Sequence, residues 1–114
     1  MNVVVLVGAV ARPPERRELG TGQSVISFDL SVPGEVRGSE SVPVAWPDPD
    51  PKASIDEGDT VVVVGRVRRR FFRAGGATAS RVELEADVVA RAGDRRRVQA
   101  AFRRAAAALA SLEE

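Results

Sequence analysis

The sequence predicts an all-β domain followed by one amphipathic helix, and three observations carry that prediction. Short β-branched or alternating apolar runs recur between glycine and proline breaks. The segment 94–112 has neither glycine nor proline, and its apolar residues repeat at helical spacing. The 114 residues fit one domain with a self-sufficient core. With no cysteine and no histidine, that core has no disulfide or cysteine–histidine zinc site to staple it.

Residues 2–7 read as a buried strand. Residues 11–18 (ARPPERRE) are too proline-rich for a helix and read as an extended continuation or a turn. Gly20 and Gly22 mark a hairpin turn. In 24–32, Ile26, Phe28, Leu30 and Val32 alternate with Val25, Ser27, Asp29 and Ser31, the pattern of a half-buried strand. Residues 33–39 form a polar loop. The short strand 41–46 tolerates Pro43 only at an edge or bulge. PDPDP at 47–51 stops regular structure and leaves room for at most one helical turn in 52–57; it lacks a ligand cage for a cation and reads as a solvated loop.

Residues 59–72 (DTVVVVGRVRRRFF) begin as a greasy strand and continue as a cationic, aromatic ribbon. Period-two alternation puts Arg66, Arg68, Arg70 and Phe72 on one face and turns Phe71 toward the core. After a turn at Gly75 and Gly76, strand 80–90 sets Val82, Leu84, Ala86 and Val88 against Arg81, Glu83, Glu85 and Asp87. Five strands in this order fit a five-stranded Greek-key OB barrel. Asp94 is a good N-cap for the helix, whose stripe is Val98, Ala101, Phe102, Ala105, Ala108, Leu109 and Leu112. A helix of this length needs a surface for its stripe, either its own barrel or a second subunit. The chain therefore divides into 1–92, an OB-fold nucleic-acid-binding domain, and 93–114, a helix for packing or oligomerisation.

A net charge of +1 conceals a segregation: residues 1–65 carry five basic and ten acidic side chains, whereas 66–104 carry twelve arginines and four acids. Such asymmetry is a footprint of a polyanion partner. Arginine forks onto phosphate and stacks on bases, and an aromatic ring beside it suits a single-stranded nucleic acid. Histidine-based triads and thiolate nucleophiles are excluded, and Asp29, Glu83, Glu85 and Asp87 read as outward strand charges; no catalytic, metal or cofactor site is expected. The N-terminus has no basic n-region, its apolar run is broken at Gly8, and no stretch is long enough to span a membrane, so a cytoplasmic, nucleoid-associated protein is expected.

The order of motifs resembles the bacterial single-stranded DNA-binding proteins. Asn2, a valine-rich strand, then the spacing G-x-x-x-R-x-P-E-x-R from Gly8 to Arg17, carry the resemblance at the start. Phe28 and Leu30 fit the family's second core strand, Gly58 and Asp59 precede the next motif, Gly65 leads the basic strand ending in Phe72, and Glu83, Leu84, Ala86 and Asp87 resemble the closing strand. Together these cover about residues 1–90. The resemblance implies that Trp46 and Phe72 stack on bases, that Arg66, Arg68 and Arg70 track phosphates, and that Arg12 and Arg17 add to them. Trp46, the single tryptophan, also reads as a core anchor.

With its departures, the chain resembles a short, tailless member of that family. Two of the family's four stacking aromatics are vacant, one near Glu40, and the disordered tail with its acidic, phenylalanine-tipped end is replaced by a helix ending in Leu112, Glu113 and Glu114. Recruitment of repair enzymes through such a tail is not expected. The first expectation is sequence-independent binding of single-stranded DNA by a tetramer or dimer in replication, repair or recombination. The alternative is a protein–protein adaptor resembling primosomal replication protein N, with weak nucleic-acid binding.

Overall fold

A computed structural model describes residues 1–34 and 38–113, so the centre of the expected polar loop and the terminal Glu114 lie outside the described residues. The strands are β1 (Val4–Val10), β2 (Glu15–Glu18), β3 (Ser24–Pro33), β4 (Ser39–Pro47), β5 (Thr60–Ala74) and β6 (Ala77–Arg91). Helix α1 (Arg95–Ala110) follows, with a short 3-10 turn at Ser111–Glu113. The strands form one sheet in the order β1-β5-β6-β4-β3-β2, and β1 also meets β3 through Ala9↔Ser31 and Val10↔Leu30.

Six strands replace the expected five because the segment after Pro13 and Pro14 pairs with β3, from Glu15↔Ser27 to Glu18↔Ser24. All four β2 side chains are exposed, so no apolar alternation announces this strand. Pro43 lies opposite Asp29, just outside the two-residue parallel pairing of β4 with β6 at Val44 and Ala45. A missing N–H is tolerated there because only one strand adjoins that position.

One face of the sheet encloses Val10, Ile26, Phe28, Leu30, Val44, Trp46, Val61, Val63, Leu84 and Val89. The 48–59 connection holds turns but no helix, and it contributes Ile55 to this core. The other side of β5 and β6 offers Val62, Val64 and Val88 to Val98, Ala101 and Ala105 of α1. Asp94 caps the helix by accepting from the Arg97 amide at 3.2 Å. The helix therefore packs on its own sheet, but through alanine: Phe102, Leu109 and Leu112 of the expected stripe remain exposed.

Two glycines are fixed by close approach. A Cβ on Gly8 would stand 2.4 Å from the Ser31 carbonyl oxygen, where β1 meets β3. A Cβ on Gly65 would stand 2.0 Å from the Glu85 carbonyl oxygen. Gly65 sits at a β-bulge: Val64 pairs with Val88, but Gly65 pairs with Ala86, leaving Asp87 over. The bulge changes the parity of β6. Leu84 and Ala86 face the core, while Val88 turns to the helix and Val89 takes the core side, so the expected single apolar face of strand 80–90 is corrected at Asp87.

Candidate nucleic-acid interface

Strands β5 and β6 are much longer than their neighbours, and this disparity builds the site. Pairing of β1 with β5 ends at Gly65, and pairing of β4 with β6 ends at Leu84, the partner of Val67. Among the described residues, 68–74 thus have no third strand beside them and extend as a two-stranded arm, about 20 Å long at the usual strand rise. Gly75 and Gly76, both at positive φ (58° and 82°), close it as a two-residue hairpin between Ala74 and Ala77.

Beyond the core, both faces of the arm meet solvent. Phe71 is 67% exposed and Phe72 40% exposed. The inward assignment of Phe71 is thereby corrected: it has the parity of Val61 and Val63, but the core ends before the strand does. Arg69 and Arg73 flank Phe71 on one face, and Arg70 precedes Phe72 on the other. Arg69 donates to Ser80 Oγ at 3.0 Å. Among the described residues, Arg69, Arg70 and Arg73 have no carboxylate partner.

Arg66 and Arg68 are engaged differently. Arg66 Nη2 donates to Glu85 Oε1 at 2.5 Å, and this hydrogen bond, with the carboxylate's charge, raises the Arg66 pKa above its ordinary value. Arg68 Nε donates to Glu83 Oε1 at 3.1 Å, its Nη2 stands 3.0 Å from the same oxygen in an ion pair, and it also pairs with Glu85. Glu83 is only 2% exposed, and Arg81 Nη2 stands 3.8 Å from its second oxygen. The arm is held at its base by Asn2, whose amide oxygen accepts from Val67 N–H at 2.9 Å while its Nδ2 donates to the Val67 carbonyl at 2.6 Å.

The same outer face continues across the sheet. Arg66, Glu85, Ala45, Ser27 and Glu15 lie opposite one another in a row from β5 to β2. Arg17, two residues beyond Glu15, shares this face. Beside the row is a depression of about 460 Å³ lined by Arg12, Pro14, Asp29, Pro43 and Arg81, among others. Arg12 stands 4.0 Å from Asp29. The floor of this groove carries no aromatic ring pointing outward from the described parts of β3 and β4: Phe28 and Trp46 both belong to the core. Trp46 is 5% exposed, which corrects its assignment as a stacking platform. It shares strand parity with Val44, opposite Ile26, and that face is the inner one.

Of the seven residues the sequence singles out, the structure therefore brings Arg66, Arg68, Arg70 and Phe72 together on β5. It sets Arg12 and Arg17 across the groove and removes Trp46 to the core. Sequence reasoning leaves Phe71, Arg69, Arg73 and Arg81 out of the site, Phe71 because its parity turns it toward the core. Their signal was available: the arms before and after Gly75–Gly76 are each 15 residues, whereas β1 has 7 and β4 has 9. A hairpin that outreaches its neighbours must expose both faces.

This architecture is similar to an OB-fold domain, mostly strand with one C-terminal helix. One solved structure with this likeness is the dimeric structure of the N-terminal domain of PriB protein from Thermoanaerobacter tencongensis. The alignment covers 82% of this chain and 98% of that one, with a TM-score of 0.64 and 20% identity. No protein-family model matches the chain, and no curated protein matches it in sequence.

Proposed function

We propose that this protein binds single-stranded DNA without sequence preference, as a non-enzymatic factor in replication, repair or recombination in the cytoplasm. The observation that carries this reading is the protruding arm, where Phe71 and Phe72 are exposed beside three arginines that have no carboxylate partner among the described residues. Rings of this kind stack on any base, and guanidinium groups track the backbone. OB folds bind oligonucleotides on the face of their second and third strands, between the first loop and the last hairpin. The corresponding face here is the groove of β3 and β4, with β2 on one side and the arm on the other. We further read the β1–β3 pairing as closure of a five-stranded Greek-key barrel, with β2 continuing from β1. A homodimer is the proposed working unit; the dimeric PriB domain supports that reading at the level of fold.

A second reading, a protein–protein adaptor, is favoured by one specific observation. Val5 and Val7 of β1 are exposed, as are Phe102 and Leu109 of α1. Arg104 reaches Asp87 of β6, so the opposite flank of the helix, which carries Phe102 and Leu109, faces the β1 side of β5. An apolar surface of this kind suits a protein contact.

The two readings separate in one experiment: binding of fluorescent oligo-dT at low salt, with mass measured by light scattering in the same samples. Saturable binding that weakens with salt supports the first. Undetectable binding at low salt by a folded protein refutes it and leaves the adaptor.

A further inference from the structure

We propose that Glu85, backed by the buried Glu83, masks part of the phosphate track, holding Arg66 and Arg68 out of polyanion contact and leaving Arg69, Arg70 and Arg73 to make it. This inference rests on the nucleic-acid-binding reading and concerns how strongly that surface binds. Six arginines occur between 66 and 81 with no acidic residue among them, so the sequence describes a uniformly cationic ribbon. The fold does not leave it uniform. Register sets Arg66 opposite Glu85 and Arg68 opposite Glu83, so each charge meets its partner across one ladder position.

The two glutamates act differently. Glu83 is sealed beneath Arg68 and Arg81, and removing a guanidinium from a buried carboxylate would strand its charge, which is strongly unfavourable. Arg68 is thus anchored and cannot swing out to a phosphate. Glu85 is nearer the surface, its side chain 12% exposed, and its two oxygens divide between Arg66 and Arg68. A phosphate approaching Arg66 meets the Glu85 carboxylate as well, and the like charges repel. The mask therefore confines productive phosphate contact to the outer arm, where binding is weaker and more readily reversed than six free arginines would give.

The test is a salt series of oligo-dT binding for the wild type, Glu85→Gln, Arg66→Gln and the double variant. For single strands the slope of log affinity against log salt is about −0.7 per phosphate engaged. Arg66→Gln alone should leave the slope unchanged. Glu85→Gln, which keeps the side-chain shape, should steepen it by about 0.7 and tighten binding at 50 mM salt by up to about eightfold. The double variant should return to wild-type behaviour. A slope flattened by about 0.7 in Arg66→Gln, or an unchanged slope in a folded Glu85→Gln, overturns the proposal. If Glu85→Gln does not fold, the Arg66→Gln slope decides alone.

If the wild type does not bind oligo-dT at any salt, the nucleic-acid reading fails, and elution of the same proteins from heparin still tests the mask. Later elution of Glu85→Gln alone, reversed by adding Arg66→Gln, supports it; co-elution of all four refutes it.

Discussion

Replacing Arg69, Arg70 and Arg73 together by glutamine removes the cationic side chains of the arm that have no carboxylate partner among the described residues, while leaving the core and the Glu83–Glu85 network intact. All three lie beyond Val67, where among the described residues β5 pairs only with β6, so the change should not disturb the rest of the sheet. If each engages one phosphate, the salt slope should fall in magnitude by about 2. Over the fourfold range from 50 to 200 mM salt, a slope of 2.1 corresponds to about an 18-fold change in affinity. The triple variant should therefore lose most of the salt dependence that the wild type shows across that range. Fluorescence anisotropy with oligo-dT at five or six salt concentrations measures both slopes, and circular dichroism checks the fold. A triple variant that keeps the wild-type slope would refute the reasoning, because phosphate contact would then lie elsewhere, in the Arg12–Arg17 region or on α1.

Other consequences follow from single residues. Phe71→Ala with Phe72→Ala should weaken oligo-dT binding by about 1–3 kcal/mol per stacked base without changing the salt slope, as isotherms at two salt concentrations would show. Trp46 emission should be that of a buried indole and should not be quenched by saturating oligo-dT; strong quenching would mean the ring leaves the core on binding. Gly65→Ala forces a Cβ against the Glu85 backbone and should cost about 1–3 kcal/mol or more in denaturant unfolding, with disturbance of the bulge that turns Val88 to the helix and Val89 to the core. Asp94→Ala removes the N-cap and should cost about 1 kcal/mol, read in the same unfolding experiment.

Much of this architecture could be read from residues alone. Val61–Val64, the alternation of Ile26, Phe28 and Leu30, the paired Gly75 and Gly76, and Asp94 before an uninterrupted helix each carry a local signal that the fold obeys. The misreadings share a cause. Alternation tells which face a residue takes, not where the core stops. Phe71 has core parity yet stands in solvent because β5 runs past β1 and β4. Trp46 could have been assigned from the sequence, since Val42 and Val44 share its parity. The pairing of Arg66 with Glu85 also lay within reach: the register runs unbroken from the two-residue turn, Ala74↔Ala77, to Gly65↔Ala86. What could not be read is the extra residue at Asp87, which puts Val88 and Val89 on the faces opposite to those expected and has no local signature. The helix stripe was found, but which part of it is buried was not, because contact with Val62 and Val64 is made through Ala101 and Ala105 and leaves Phe102, Leu109 and Leu112 exposed.

Backbone amide chemical shifts of the folded protein, followed during titration with oligo-dT, test the central claim most directly. If the arm is the nucleic-acid contact, the largest changes fall on residues 68–80, with smaller ones along the β3–β4 groove and little change in the core around Trp46. Changes confined to α1 and the exposed side of β1, or no saturable change at low salt, would contradict it.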